Sequence, residues 1–155
     1  MLVYWSNEDQ DPLTRCESNN QALPIESTWL YSKSRWNEAS PEDVDVILME
    51  QDVTINFHNW CLTPRNFTLS KKLRNFWDVL ATNRDENGLE FVSMVEAKDY
   101  SIWGVQYHPE KNAFEWTEKW SNIPHSPHAV YSAAFHADFL VKVSNLCDGA
   151  TMKSK

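Results

Sequence analysis

The chain has 155 residues, 42% of them apolar and 13% aromatic, enough for one domain with a real core and not a disordered composition. Lys and Arg number 14 against 22 Asp and Glu, and the net charge of −8 argues against nucleic acid and anionic membrane surfaces, which reward basic clusters. No apolar run approaches the length of a bilayer span, and the three glycines form neither of the phosphate-cradling patterns.

Residues 1–10 lack periodicity and run into the acidic stretch Glu8-Asp9-Gln10-Asp11, closed by Pro12. They have no basic n-region and no long apolar h-region, so they do not read as a signal peptide, but as a loose lead-in or a strand remnant. Residues 13–25 are polar and broken at Pro24, which fits two short strands or a loop. Trp29-Leu30-Tyr31 is an apolar patch without an assigned structure.

Ser40-Pro41-Glu42-Asp43 predicts a helix start, with Ser40 as N-cap, Pro41 at N1 and acids in the first turn. That helix should run over 41–50 and bury Val44, Ile47 and Leu48. Val53, Ile55 and Phe57 alternate with polar residues, predicting a strand that ends at His58. Ser70 opens a second predicted helix, where Leu73, Phe76, Trp77 and Leu80 fall on one face. Apolar runs over 79–83 and 89–95 flank Arg84-Asp85-Glu86-Asn87-Gly88, a hairpin signal. The run over 102–107 shows little alternation and predicts a strand covered on both faces. Ser126 and Pro127 should cap a final helix with Val130, Ala133, Ala134, Ala137, Leu140 and Val141 as its packing stripe. Gly149 and a polar tail over 151–155 close the chain.

The chemistry concentrates in Gly104-Val105-Gln106-Tyr107-His108-Pro109-Glu110. The strand delivers His108 to its end, Pro109 stops it, and Glu110 follows two residues later. A histidine so presented, with an acid holding its ring, is how a cysteine or serine nucleophile is activated. The cysteines, Cys16, Cys61 and Cys147, are odd in number and form no C-x-x-C pair, which predicts free thiols rather than a disulfide framework or a zinc site. His125 and His128 flank the last helix start and read as capping neighbours. His136 falls off the apolar stripe and reads as solvated.

GVQYHPE resembles the His-Glu segment of the class I glutamine amidotransferase-like hydrolases. EKNAFEW, IPHSPHAV, NFHNW over 56–60 and KKLRNFWDVL over 71–80 resemble γ-glutamyl hydrolase in particular, matching the C-terminal half of that family's domain. The resemblance implies an α/β fold, a three-layer, flavodoxin-like, class I glutamine amidotransferase-like domain, N-terminally truncated. The chain reads as a single domain with its core over about 11–146. The implied reaction is hydrolysis of γ-glutamyl bonds in folylpoly-γ-glutamates by a cysteine-type omega peptidase, through a thioester, with no metal or organic cofactor. His108 would be the general base and acid, and Glu110 would orient it. His58, Tyr107 and Trp116, with Trp60, would line the substrate site. The family is lysosomal or secreted, and Asn66-Phe67-Thr68 is a sequon that fits that route. Without a signal peptide, the chain as given would be cytoplasmic.

The family's nucleophile is a cysteine in a G-x-C-x-G elbow. None of the three cysteines has flanking glycines, so no nucleophile or metal ligand is assigned, and the chain is expected to be inactive alone. Losing a nucleophile costs on the order of 10⁶-fold in rate. Two other readings stand beside this one: a pseudoenzyme that binds pteroylglutamates or a partner chain, and a glutaminase domain of an amidotransferase. An α/β domain without its first strands exposes an edge, which predicts an aggregation-prone product or a homodimer.

Overall fold

The computed structural model describes residues 6–7 and 11–151, without the side chains of 144–151. The expected lead-in, the polar tail and the side chain of Cys147 lie largely or wholly outside the described residues. The strands are β1 (Thr14–Leu23), β2 (Glu26–Ser27), β3 (Thr54–Cys61), β4 (Trp77–Arg84), β5 (Glu90–Ala97) and β6 (Trp103–Val105). The helices are α1 (Arg35–Ala39), α2 (Glu42–Glu50), α3 (Pro64–Leu69), α4 (Lys71–Phe76), α5 (Lys111–Phe114) and α6 (Pro127–Thr151), with one 3-10 turn at Tyr31–Lys33. The architecture is mixed α/β. β1 pairs with β3 in one sheet, and β2-β4-β5-β6 form a second. Every pairing among the described residues is antiparallel.

Residues 13–25 become one long strand rather than two. Its ladder with β3 is irregular between Arg15 and Ser18 and between Asn19 and Gln21, where Asn20 takes φ 58°. Local polarity hid this strand, because the ladder to β3 and not a buried face defines it. β3 itself runs three residues past His58, to Cys61.

Helix α2 buries Val44, Ile47 and Leu48 as its spacing predicts. Its cap differs. Ser40 closes α1 instead, its N–H donating to the Trp36 carbonyl, while its hydroxyl donates to Asp45. Ser70 does cap α4, accepting from the Leu73 N–H. That helix stops at Phe76, and Trp77 turns extended to begin β4. The apolar period is satisfied by a different route: Leu73 and Trp77 share one core cluster, whereas Leu80 joins the main one. A seven-rung register from Trp77↔Ala97 to Arg84↔Glu90 outcompetes two further helical turns.

The predicted hairpin forms. Gly88 at φ +81° supplies the left-handed position of the turn. Asp85 braces it, accepting from the Asn87 and Leu89 N–H groups through Oδ1 and from the Glu17 N–H of β1 through Oδ2. The 102–107 strand is shorter than expected. β6 spans three part-buried residues, pairs antiparallel with β5, and leaves Ile102 exposed, so it is not a doubly covered parallel strand.

The main core gathers Leu80, Ala81 and Met94 of the larger sheet with Val44 and Leu48 of α2 and Phe135 and Phe139 of α6. A second cluster sets Val92 and Val95 against Leu73 and Trp77. Ser126 caps α6 by accepting from the Ala129 N–H. The packing face of α6 is rotated from the predicted stripe. Ala129, Ala133, Phe135 and Phe139 are buried, whereas Leu140 and Val141 are 65% and 58% exposed. The aromatic pair, packed edge-on to Trp36, sets the orientation rather than the small residues. Gly149 does not end the helix, which continues to Thr151. Among the described residues no helix is long and apolar enough to cross a membrane.

Candidate active site

His108 follows β6 by three residues. The Gln106 N–H donates to the Ser93 carbonyl at 2.8 Å and continues the pairing with β5. The His108 N–H then donates to the Ile55 carbonyl of β3 at 2.9 Å. His108 is therefore held between the two sheets, not at the edge of one. Its ring stands edge-on to Phe57 at 6.3 Å. The Nδ1–H donates to Glu110 Oε1 at 2.9 Å, since a carboxylate only accepts. That fixes the tautomer and leaves the Nε2 lone pair pointing away from the acid. The two side chains are 38% and 61% exposed, so the pair is open to an incoming group.

Below the loop, Asn112 is buried and donates through Nδ2 to the Val53 carbonyl at 2.8 Å and to the Ala129 carbonyl at 3.2 Å. Its own backbone carbonyl accepts from His125 Nδ1–H at 2.9 Å. One amide thus fastens α5, and with it the His108 loop, to β3 and α6. Asn112 carries no sequence signal, because a lone Asn in a short polar helix looks like any surface residue.

His58 sits on β3 close enough to His108 for their charges to interact. Burial, and then the charge of His108, lowers its pKa to about 4, with Asp85 acting the other way. Its Nε2 faces Asn56 Oδ1 at 3.1 Å. Asn56 uses its NH₂ on the Thr54 and Gln21 carbonyls, so its oxygen accepts and His58 Nε2 donates. The Nδ1 lone pair then faces two sulfurs, Cys61 at 3.3 Å and Cys16 at 3.6 Å. These cysteines are joined in a disulfide with their Cα atoms 6.0 Å apart. The expectation of free thiols is therefore corrected for Cys16 and Cys61. Cys16 and Cys61 are 45 residues apart, and only the β1–β3 register Thr14↔Cys61 brings them together.

The remaining candidates do not converge on one pocket. Tyr107 is buried in the main core, where its hydroxyl donates to His136 Nε2 at 2.8 Å, and burial raises its pKa. Trp116 is 70% exposed and stacks on His125 at 3.9 Å. Trp60 is exposed beneath Arg15. His128 pairs with Gln51 across to α2. His136 is not solvated as expected. It packs against Trp36 and donates from Nδ1 to the Ser132 carbonyl, and burial lowers its pKa to about 4. Asn66 lies in α3, its amide nitrogen bonded to the Pro12 carbonyl and to Thr14 Oγ1.

No protein-family model matches the chain. Curated proteins do. It is 38% identical to human gamma-glutamyl hydrolase over 129 residues, which is 83% of this chain and 40% of that protein. It is 31% identical to gamma-glutamyl hydrolase B of Dictyostelium discoideum over 140 residues, covering 90% of the chain and 40% of the relative. To gamma-glutamyl hydrolase 1 of Arabidopsis thaliana it is 46% identical over 84 residues, 54% of the chain and 24% of that protein. The chain spans about two fifths of the length of the first two relatives. Over most of its own length, then, this chain is a γ-glutamyl hydrolase-like protein.

Proposed function

We propose that the chain carries the base-bearing part of a γ-glutamyl hydrolase site, with His108 as general base and acid and Glu110 as its orienting partner. The observation that supports this is the 2.9 Å contact from His108 Nδ1 to Glu110 Oε1, at a loop anchored on both sheets. His108 Nε2 takes the proton of a cysteine thiol. The thiolate attacks the γ-glutamyl carbonyl carbon, the carbon–nitrogen bond breaks, and the departing amine takes the proton from His108. Water, deprotonated by the same nitrogen, then cleaves the thioester. Cys16 and Cys61 are bonded to each other beside His58, so the thiol in this scheme is neither of them in their oxidised form.

The proposed substrates are folylpoly-γ-glutamates, and the exposed face of Trp116 is the surface proposed for their aromatic end. His58 stands behind the site as a support, since both of its ring nitrogens face protein atoms. The finer architecture in this reading is the three-layer domain of the amidotransferase-like hydrolases. The setting is lysosomal or extracellular, with which the Cys16–Cys61 disulfide is compatible.

The test is glutamate release from a folate poly-γ-glutamate by the 155-residue chain, alone and fused behind a strand–GxCxG–helix segment from a curated relative. The expected result is turnover in the fusion only. His108→Asn then lowers it by roughly 10³-fold or more, and Glu110→Ala by roughly 10- to 100-fold, with each variant shown to be folded. A fusion that turns over unchanged with His108→Asn overturns the assignment. Release of ammonia from glutamine with no action on γ-glutamyl peptides would favour the glutaminase reading instead.

A further inference from the structure

Cys16, His58 and Cys61 bring three ligand atoms within 4.8 Å of one another, two from β3 and one from β1. Both cysteines are buried and the histidine is part-buried, so the group is largely shielded from solvent. The orientation of His58 is the informative detail. Its Nε2–H is committed to Asn56 Oδ1, and Asn56 is itself fixed by donating to the Thr54 carbonyl. An amide oxygen holding the far N–H of a histidine, with the near lone pair aimed at sulfur, is the outer-sphere arrangement that orients a metal-binding imidazole. In the disulfide neither sulfur carries a proton, so the Nδ1 lone pair receives no hydrogen bond from them.

We propose that, once the Cys16–Cys61 disulfide is reduced, Cys16, Cys61 and His58 bind one zinc ion, leaving the fourth position to water.

The distances favour zinc geometry. Zn–S near 2.3 Å and Zn–N near 2.0 Å at tetrahedral angles place sulfur about 3.5 Å from nitrogen. The existing edges are 3.3 and 3.6 Å. Only the sulfurs must part, to about 3.8 Å in the same geometry. The electrons come from a dithiol or phosphine reductant. Two electrons and two protons convert the disulfide to two thiols while the reductant is oxidised, and zinc then displaces both thiol protons to solvent. Disulfide and zinc are mutually exclusive occupants of the same three residues.

The experiment uses the full chain with Cys147→Ser, so that every signal belongs to the pair. After reduction by a phosphine under argon, Co²⁺ is titrated in as a spectroscopic stand-in, followed by Zn²⁺. The expected result is one Co²⁺ per chain with thiolate-to-cobalt charge transfer and tetrahedral d–d absorption, lost on adding Zn²⁺ and never seen in the oxidised protein. His58→Ala lowers the affinity at least tenfold, and Asn56→Ala lowers it roughly 10- to 100-fold. A second readout needs no variant at the site. Zn²⁺ slows re-formation of the disulfide by diamide at least tenfold. Reduced protein that shows no charge-transfer band with excess Co²⁺, or re-oxidises equally fast with and without Zn²⁺, overturns the proposal.

Discussion

Asn112 shows how one side chain can fasten the loop that carries His108. It bridges Val53 and Ala129, at the start of β3 and near the start of α6. Asn112→Ala removes both bonds; the Ala129 carbonyl keeps the Ser132 hydroxyl as a donor, while the Val53 carbonyl loses the Asn112 amide, at a cost of about 1–3 kcal/mol. Urea unfolding followed by tryptophan fluorescence should show the midpoint fall with an unchanged slope, and an unaltered midpoint would remove Asn112 from this role. At this scale the sequence was readable where partners are neighbours. His108 and Glu110 are two residues apart, so the spacing puts an acid within reach of the ring, and the resemblance of the wider GVQYHPE string implies their contact. His136 was misread as solvated because its partners, Tyr107 and Trp36, lie 29 and 100 positions away and no helical period contains them.

At the scale of elements, the disulfide is the principal covalent constraint among the described residues. It closes a loop of 45 residues between β1 and β3, and β1 packs few apolar residues of its own. The chain-entropy account gives such a crosslink about 4 kcal/mol. Reduction in the presence of a chelator should therefore lower the urea midpoint, and Cys16→Ser should reproduce the loss. Equal midpoints for oxidised and reduced protein would show that the β1–β3 ladder holds without the bond. Helices with strong caps were legible here, as at Ser70 and Ser126, and so was the Asn-Gly hairpin. The end of α4 was not legible, since Leu73, Phe76, Trp77 and Leu80 satisfy a helical period and yet Trp77 and Leu80 belong to a strand. β1 was legible only as short strands or a loop, for the complementary reason: its identity lies in partners 31–47 residues away.

For the whole molecule, burial of His136 should contribute to the response to acid. His136 is neutral in the fold, with its pKa lowered to about 4 against about 6.5 when unfolded. Between these values the unfolded chain binds more protons, so stability rises with pH across that interval. It is fully present above pH 6.5 and declines as pH falls toward 4. One such group contributes a slope of at most about 1.4 kcal/mol per pH unit. His136→Gln should flatten the fall in melting temperature between pH 6.5 and 4.5, although its neutral-pH stability is lower. A variant that keeps the parent's acid slope would assign that slope to other groups. The mixed α/β class was implied by the resemblance, and the helix and strand signals along the chain agree with it. The antiparallel pairing was not, because an apolar run such as 102–107 reads the same whichever direction its neighbour takes.

The anchoring of His108 on Ile55 has a further consequence. The chain leaves β5 with the Gln106 N–H and reaches β3 with the His108 N–H, so a single residue, Tyr107, spans the gap between sheets. Any drift of one sheet relative to the other must be absorbed in the backbone torsions of that residue. Its side chain is buried and hydrogen-bonded to α6, which stiffens the span. The imidazole is thus aimed like a sight mounted across two plates. A substitution that lets the plates slide need not unfold anything to spoil the aim, and under the function proposed above its first symptom would be slower proton transfer in a protein that still melts normally.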